Sequence, residues 1–259
     1  MEDFKIQSVL LTGSDRGIGL GLVQQFLELL HPPQFLFATC RHPEGPEGQV
    51  LKEMAARCSK NARLVVLQLD VTDPHSITAA AKEVEEHLAG CGLNLLINNA
   101  GIAQETTLDS ETAQSMAAVY ATNTIGPMQV CQAFLPLLKR AAMKSNCPGM
   151  SCGKAAIVNM SSSYGSITAL DEWQRHQDVS YRCSKAALNM LTRCQSLGYG
   201  TTGVLCVSLH PGGVKTHLGA EKGVLTVDSG TKKILDVLSS LSAKDNGTFV
   251  DWRGQRVPW

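Results

Sequence analysis

Ser8-Val9-Leu10-Leu11-Thr12-Gly13-Ser14-Asp15-Arg16-Gly17-Ile18-Gly19 is the stretch on which the reading of this chain turns. From Ser8 to Thr12 the run is short and apolar, as in a strand buried on both faces. From Ile18 to Leu30 apolar residues recur with helical spacing until Pro32 and Pro33 stop the pattern. Glycines in the turn between them allow tight bending and close approach of a ligand to the backbone. Phosphate groups are stabilised at such a place by free amides and by the positive end of the helix dipole. A tight strand-to-helix connection without a ligand would use the same glycines.

Outward from that unit, strand and helix keep alternating. Phe35 to Thr39 reads as a second buried strand and Val50 to Arg57 as a helix; Leu64 to Leu69 is a third strand. A helix near Ser76 to Leu88, a strand at Leu93 to Ile97, helical stretches from about Ser110 to Leu138 and a strand at Ala155 to Met160 follow. Residues 144–154 have loop chemistry and are expected as a surface insertion. After a helix around Tyr181 come a strand at Val204 to Leu209, a connecting segment to about Thr226, a helix at Val227 to Leu238 and a last strand near Phe249. Continuous rather than alternating apolar runs predict a Rossmann-like α/β domain: a doubly wound parallel sheet of about seven strands with helices on both faces. With 259 residues, the chain suits one large domain.

Lysine plus arginine equal aspartate plus glutamate at 23 each, so no net field favours nucleic acid or an anionic membrane. Nine cysteines without a Cys-x-x-Cys pair fit reduced thiols and a cytoplasmic setting. No targeting signal is visible, and no segment approaches the ~20 apolar residues of a membrane span. No metal site is expected.

Tyr181-Arg182-Cys183-Ser184-Lys185 carries the candidate chemistry. Four residues apart on a helix, Tyr181 and Lys185 share a face, where the ammonium can stabilise a phenolate that otherwise forms near pH ~10. The same spacing also occurs in ordinary amphipathic helices. Cys183 is expected to point elsewhere as a packed thiol, and His210 to be structural. In folds of this kind an acidic residue ending the second strand favours NAD, whereas arginine suits a 2′-phosphate. Here that region reads Phe37-Ala38-Thr39-Cys40-Arg41, without a carboxylate, and Arg16 in the glycine turn can reach the same place. Two guanidinium groups around a dianion predict NADP(H) over NAD(H). Asp70, followed by Val71, fits either an adenine contact or a cap on the next turn.

Over almost its whole length the chain resembles the short-chain dehydrogenase/reductase family. The matching pieces run in family order: Thr-Gly-x-x-x-Gly-Ile-Gly at 12–19, Asn98-Asn99-Ala100-Gly101, Asn123, Ser161-Ser162, Tyr-x-x-x-Lys at 181–185, and Pro211-Gly212. More narrowly it is similar to sniffer-type carbonyl reductases, related to bacterial C-factor proteins, through Ala38-Thr39-Cys40-Arg41, Leu135 to Lys139, Ile157 to Ser162, Val207 to Gly212 and the closing Asn246 to Trp259. That resemblance implies NADPH-dependent reduction of a ketone, aldehyde or quinone.

By the same resemblance, Tyr181 is the proton donor, Lys185 stabilises phenolate and holds the nicotinamide ribose, and Ser162 holds the substrate oxygen. Asn123 positions a relay water; read by itself it would satisfy a helix kink before Gly126-Pro127. The implied cofactor contacts are Gly13, Ser14, Arg16, Gly17, Ile18, Gly19, Arg41, Asp70, Val71, Asn99, Ala100, Gly101, Tyr181, Lys185, Pro211, Gly212, Val214 and Thr216. Without the family, residues 98–101 are a strand-ending turn. Residues 163–178 and 212–226 are expected to form the substrate pocket. The first contains Trp173, which suits either a substrate cover or a loop anchor. Gly213 stands where such relatives carry a bulky aromatic, and Gly198 and Gly200 weaken the Tyr181 helix, which in the family helps to build a homodimer. A nucleotide-binding scaffold with little turnover is the competing reading. A serine hydrolase through Ser162 is a weaker one, because no Gly-x-Ser-x-Gly elbow surrounds it.

Overall fold

Parallel strands cannot be joined by tight hairpins, so each connection crosses a face of the sheet and buries it. In the computed structural model, which describes residues 4–58, 62–170, 172–216 and 224–259, the strands are β1 (Ser8–Thr12), β2 (Phe35–Cys40), β3 (Arg63–Gln68), β4 (Leu95–Asn98), β5 (Ala156–Met160), β6 (Leu205–His210) and β7 (Thr248–Asp251). They form one parallel sheet in the order β3-β2-β1-β4-β5-β6-β7. The helices are α1 (Gly17–Leu27), α2 (Pro46–Ala56), α3 (Pro74–Leu88), α4 (Ala113–Tyr120), α5 (Gly126–Lys144), α6 (Val179–Tyr199) and α7 (Val227–Ser240). Val9, Leu11, Leu36, Ala38, Ile97, Val158 and Val207 belong to one buried apolar layer, and Leu10, Phe37, Leu96, Ile157 and Cys206 to the other. The expected doubly wound sheet is present. Its order reverses between β1 and β4, which opens a crevice at the carboxyl ends of the strands.

Several boundaries move for identifiable reasons. α2 begins at Pro46 rather than Val50, since proline is preorganised for the first helical position and Glu47 favours the first turn. β4 starts at Leu95 because the Leu93 amide bonds to the Leu137 carbonyl (3.1 Å) of α5 instead of joining the sheet. The stretch from Ser110 to Leu138 is two helices joined by a π-helical turn at Ala121–Ile125. Of residues 144–154, 146–149 are exposed, while Cys152 is fully buried and Met150 packs on the core, so this segment is anchored at its second half.

α6 turns a polar face inward: Ser184, Lys185, Asn189, Thr192, Gln195 and Ser196 are all buried. Asn159 on β5 meets that face, donating to Thr192 Oγ1 (2.8 Å) and Gln195 Oε1 (2.9 Å) while accepting from Asn98 Nδ2 (2.8 Å). Ser208 on β6 also donates to Thr192 Oγ1 (2.8 Å). This buried network, in which Asn98 Oδ1 and Gln195 Nε2 have no hydrogen-bond partner, favours one register where apolar packing would tolerate sliding, and thereby sets where Tyr181 and Lys185 stand. Gly198 is accommodated inside α6, with a 3-10 turn at Gly200–Thr202 following.

Candidate active site

The glycine turn is locked from the next strand over. Asn99 Nδ2 donates to the Thr12 and Gly13 carbonyls (3.0 and 2.9 Å), and Thr12 Oγ1 accepts from the amides of Asn99 and Ala100 (3.0 and 3.1 Å). Gly13 and Gly17 have φ of +64° and +53°, the left-handed region where a Cβ is costly. A Cβ on Gly19 would collide with the Gly13 carbonyl oxygen. α1 has neither a side-chain cap nor an acidic residue in its first turn, so its positive end is left for an anion. Ser14 is spent inward, its hydroxyl donating to the Leu11 carbonyl (2.8 Å) and its amide to the Thr39 carbonyl (2.9 Å).

Arg16 and Arg41 are exposed at the ends of β1 and β2, with Arg16 donating to Glu47 Oε1 at 2.9 Å. Asp70 accepts from the amide and hydroxyl of Thr72 (2.8 and 2.7 Å), while the cap of α3 is Asp73. Burial tends to raise the Asp70 pKa, but those bonds and Arg41 with His42 bring it below its ordinary value. Val71 is buried, its carbonyl against Gly126, and Ile18 is half-buried against the core. From the other side, Thr216 approaches Gly17, with Thr216 Cγ2 3.4 Å from where a Cβ would stand. Val214 is buried against Gly230 of α7, and Gly212 packs on Trp252. Residues 217–223 of the second expected pocket loop, and Asp171 of the first, lie outside the described residues.

Across the crevice, Ser162 follows β5 and caps a short 3-10 turn, accepting from the Tyr164 amide (3.2 Å). Ser161 instead turns inward and donates to Asn189 Oδ1 (2.6 Å). Lys185 is buried, and its ammonium donates to the Met160 carbonyl (2.7 Å) and lies 5.5 Å from the Tyr181 ring centroid. Burial pulls its pKa down to about 8. The Tyr181 phenol is not depressed as the spacing suggested. Burial pushes it up to about 12, a hydrogen bond with the Ser162 hydroxyl pulls the other way, and Asp178 adds to the rise. Desolvation of the phenolate outweighs its neighbours here.

Asn123 sits in the π turn, a distortion common at functional sites. Its side chain accepts from the Ile102 amide (2.9 Å) and donates to the Ile102 carbonyl (2.8 Å) and Ser184 Oγ (3.0 Å). It flanks Gly101 together with Lys185: a Cβ there would be 3.3 Å from Asn123 Oδ1 and 3.7 Å from Lys185 Nζ. The structure therefore brings Asn123, Ser162, Tyr181 and Lys185 to one end of the crevice, beside the glycine turn. His210 does not pair with Ser162, since its Nδ1 accepts from the Ser163 amide (3.1 Å).

Cys183 is exposed rather than packed, because the inward positions of this turn are Arg182, Ser184 and Lys185. Trp173 is half-buried with the Arg182 guanidinium 5.7 Å from its ring, which favours the loop-anchor reading. Residue spacing gave no sign of three contributors. Tyr164 stands edge-on to Tyr181 at 6.4 Å, Arg182 buries its guanidinium over Tyr164, and Glu111 accepts from Thr106 Oγ1 (2.6 Å) and from the Ser180 amide (2.9 Å) at the start of α6.

The model of the short chain dehydrogenase family matches residues 7–224. Among solved structures, the chain is similar to the NADPH-bound carbonyl reductase from chicken fatty liver, at 54% identity and a TM-score of 0.94, covering 99% of this chain and 100% of that one. It is also similar to the carbonyl reductase Sniffer of D. melanogaster, at 38% identity and a TM-score of 0.92, covering 98% and 100%. Among protein sequences it is 32% identical over 168 residues to the C-signal protein of Myxococcus xanthus, covering 64% of this chain and 93% of that protein.

Proposed function

The chain belongs to the short-chain dehydrogenase family and is an oxidoreductase; from that premise we propose that it reduces a ketone, aldehyde or quinone to the alcohol with NADPH. The observation that carries this reading is the convergence of the Ser162 and Tyr181 hydroxyls with Lys185 beside the glycine turn, at the switch point of the sheet.

The cofactor side fits a dinucleotide with a 2′-phosphate. The uncapped start of α1 suits the pyrophosphate, and Arg16 and Arg41 suit the 2′-phosphate. Asn99, Ala100 and Gly101 line the sheet side, and Pro211, Gly212, Val214 and Thr216 the opposite side. When bound, NADPH supplies the hydride for the carbonyl carbon.

The chain's own residues do the rest. Ser162 holds the carbonyl oxygen as negative charge develops on it. Tyr181 transfers its phenolic proton to that oxygen, completing the alcohol. A phenol kept protonated by burial is in the form that a proton donor needs. Lys185, close to losing its own proton, helps to restore the one on Tyr181 along a relay past Asn123 toward solvent. Among the described residues, 163–170, 172–178, 212–216 and 224–226 are assigned to the carbonyl side of the pocket. Purified protein oxidising NADPH with benzaldehyde, acetophenone or menadione tests this reading; tight NADPH binding without turnover would favour a scaffold.

A further inference from the structure

Arg182 is adjacent in sequence to Tyr181, yet its side chain serves the segment that precedes the helix. Only 6% exposed, it donates from Nε to the Gln177 carbonyl and from Nη2 to the His176 carbonyl, both at 2.8 Å. Its guanidinium carbon lies 3.9 Å from the Tyr164 ring centroid and 5.7 Å from that of Trp173. Tyr164 in turn meets Tyr181 edge-on, gives its amide to Ser162 Oγ and donates its hydroxyl to Glu172 Oε2 (2.9 Å).

The backbone around these contacts is strained. Glu172 and Asp178 have φ of +58° and +43°, two of three non-glycine residues in the left-handed region among the described residues. Such conformations persist where the surroundings over-determine them. The flat, forked guanidinium does this by binding two carbonyls while stacking on an aromatic face, which an ammonium cannot reproduce.

We propose that Arg182 is the positioning residue for the carbonyl side of the pocket, holding Tyr164 as a fixed wall against the ring of Tyr181 and beside Ser162. This rests on the reductase reading of the same site. Substrate is gripped between that wall and the two hydroxyls, while the phosphate-binding side of the cofactor cradle is built on β1, β2 and β4 rather than on α6.

The test compares wild type with Arg182→Lys, Tyr164→Ala, the double variant, and Arg175→Met as an exposed control in the same segment. The KM for acetophenone and menadione is measured beside the affinity for NADPH. Arg182→Lys is expected to raise the carbonyl KM about tenfold, the size of one lost charge-assisted bond, with NADPH affinity within about twofold. Tyr164→Ala is expected to match it, and the double variant to add little, because both act through one wall. Equal loss of NADPH and carbonyl affinity, additive effects, or an unchanged KM in Arg182→Lys would overturn the proposal. Should wild type bind NADPH without turnover, the reductase reading fails on its own. Titration of benzyl alcohol into the NADP+ complex then reads the wall directly, with weaker binding in Arg182→Lys expected and unchanged binding contradicting it.

Discussion

The ammonium of Lys185 lies 5.5 Å from the centre of the Tyr181 ring while bonding the Met160 carbonyl at 2.7 Å, so both partners of this pair are held by the fold before any cofactor arrives. Burial makes each group resist its charged form: Lys185 falls to about 8 and Tyr181 rises to about 12. The linkage to stability has a definite sign. The unfolded chain binds the lysine proton more tightly, so folding stability rises as pH increases from about 8 toward the ordinary lysine value near 10.5. Above the ordinary tyrosine value of 10.0 the unfolded chain loses the phenolic proton first, and stability falls toward about 12. The buried thiols of Cys40, Cys131, Cys152 and Cys206 are raised above their ordinary value of 9.0 and pull stability down above it. The lysine limb is therefore read as the difference in melting temperature between cofactor-free wild type and Lys185→Met, which should rise between about pH 8 and 10.5. A Lys185→Met profile parallel to wild type would contradict the assignment.

The start of α6 is tuned on the acid side. Hydrogen bonds from Thr106 first, and from Ser115 and Ser180 after an opposing burial effect, bring Glu111 from 4.5 down to about 2. Its contribution is therefore present above the unfolded value and lost as pH falls through about 2. Glu111→Gln should cost about 1 kcal/mol near neutral pH, the size of a lost helix cap, and should flatten the melting curve's decline between 4.5 and about 2. Equal acid sensitivity of variant and wild type would show that this carboxylate does not tie the loop to α6.

Two glycines should respond in opposite directions. Gly19→Ala drives a methyl into the Gly13 carbonyl and is expected to abolish NADPH binding by distorting the turn. Gly198 has open space around its Cβ position and lies inside α6. Gly198→Ala should therefore stabilise by about 0.5–1 kcal/mol, raising the melting temperature by about 1–3 °C. Calorimetry with and without NADPH reads both.

Selectivity between the two nicotinamide cofactors falls to Arg16 and Arg41. The Arg16–Glu47 pair is more than half exposed on each side and contributes little to stability, so Arg16 can exchange Glu47 for phosphate. Replacing both arginines with alanine should weaken NADPH at least about tenfold and leave NADH nearly unchanged. Equal loss for both cofactors, or for neither, would remove the 2′-phosphate assignment.

The sheet was legible because parallel strands buried on both faces announce themselves as short apolar runs, as Val9 to Leu11 and Ile157 to Val158 do. The glycine turn was legible because its backbone geometry admits few residue types. The pocket's carbonyl side was not. Tyr164 and Arg182 act through a stack formed across a strained loop, which no periodicity reports, and Arg182 reads in sequence as one more helix-surface charge. The same blindness applies to Asn159, whose partners Thr192 and Gln195 lie on another element. Cys183 was misplaced because a spacing argument says which residues share a face, not which face is inward. The Tyr181 pKa went wrong for a related reason: spacing supplies the neighbouring cation but not the depth of burial.

Proton donation by Tyr181 is tested most directly by single-turnover NADPH oxidation in the presence of menadione or benzaldehyde, comparing wild type with Tyr181→Phe. The variant should still bind NADPH and lose at least about a hundredfold in the rate of the chemical step. A Tyr181→Phe protein that reduces carbonyls at the wild-type rate would contradict the role of this phenol.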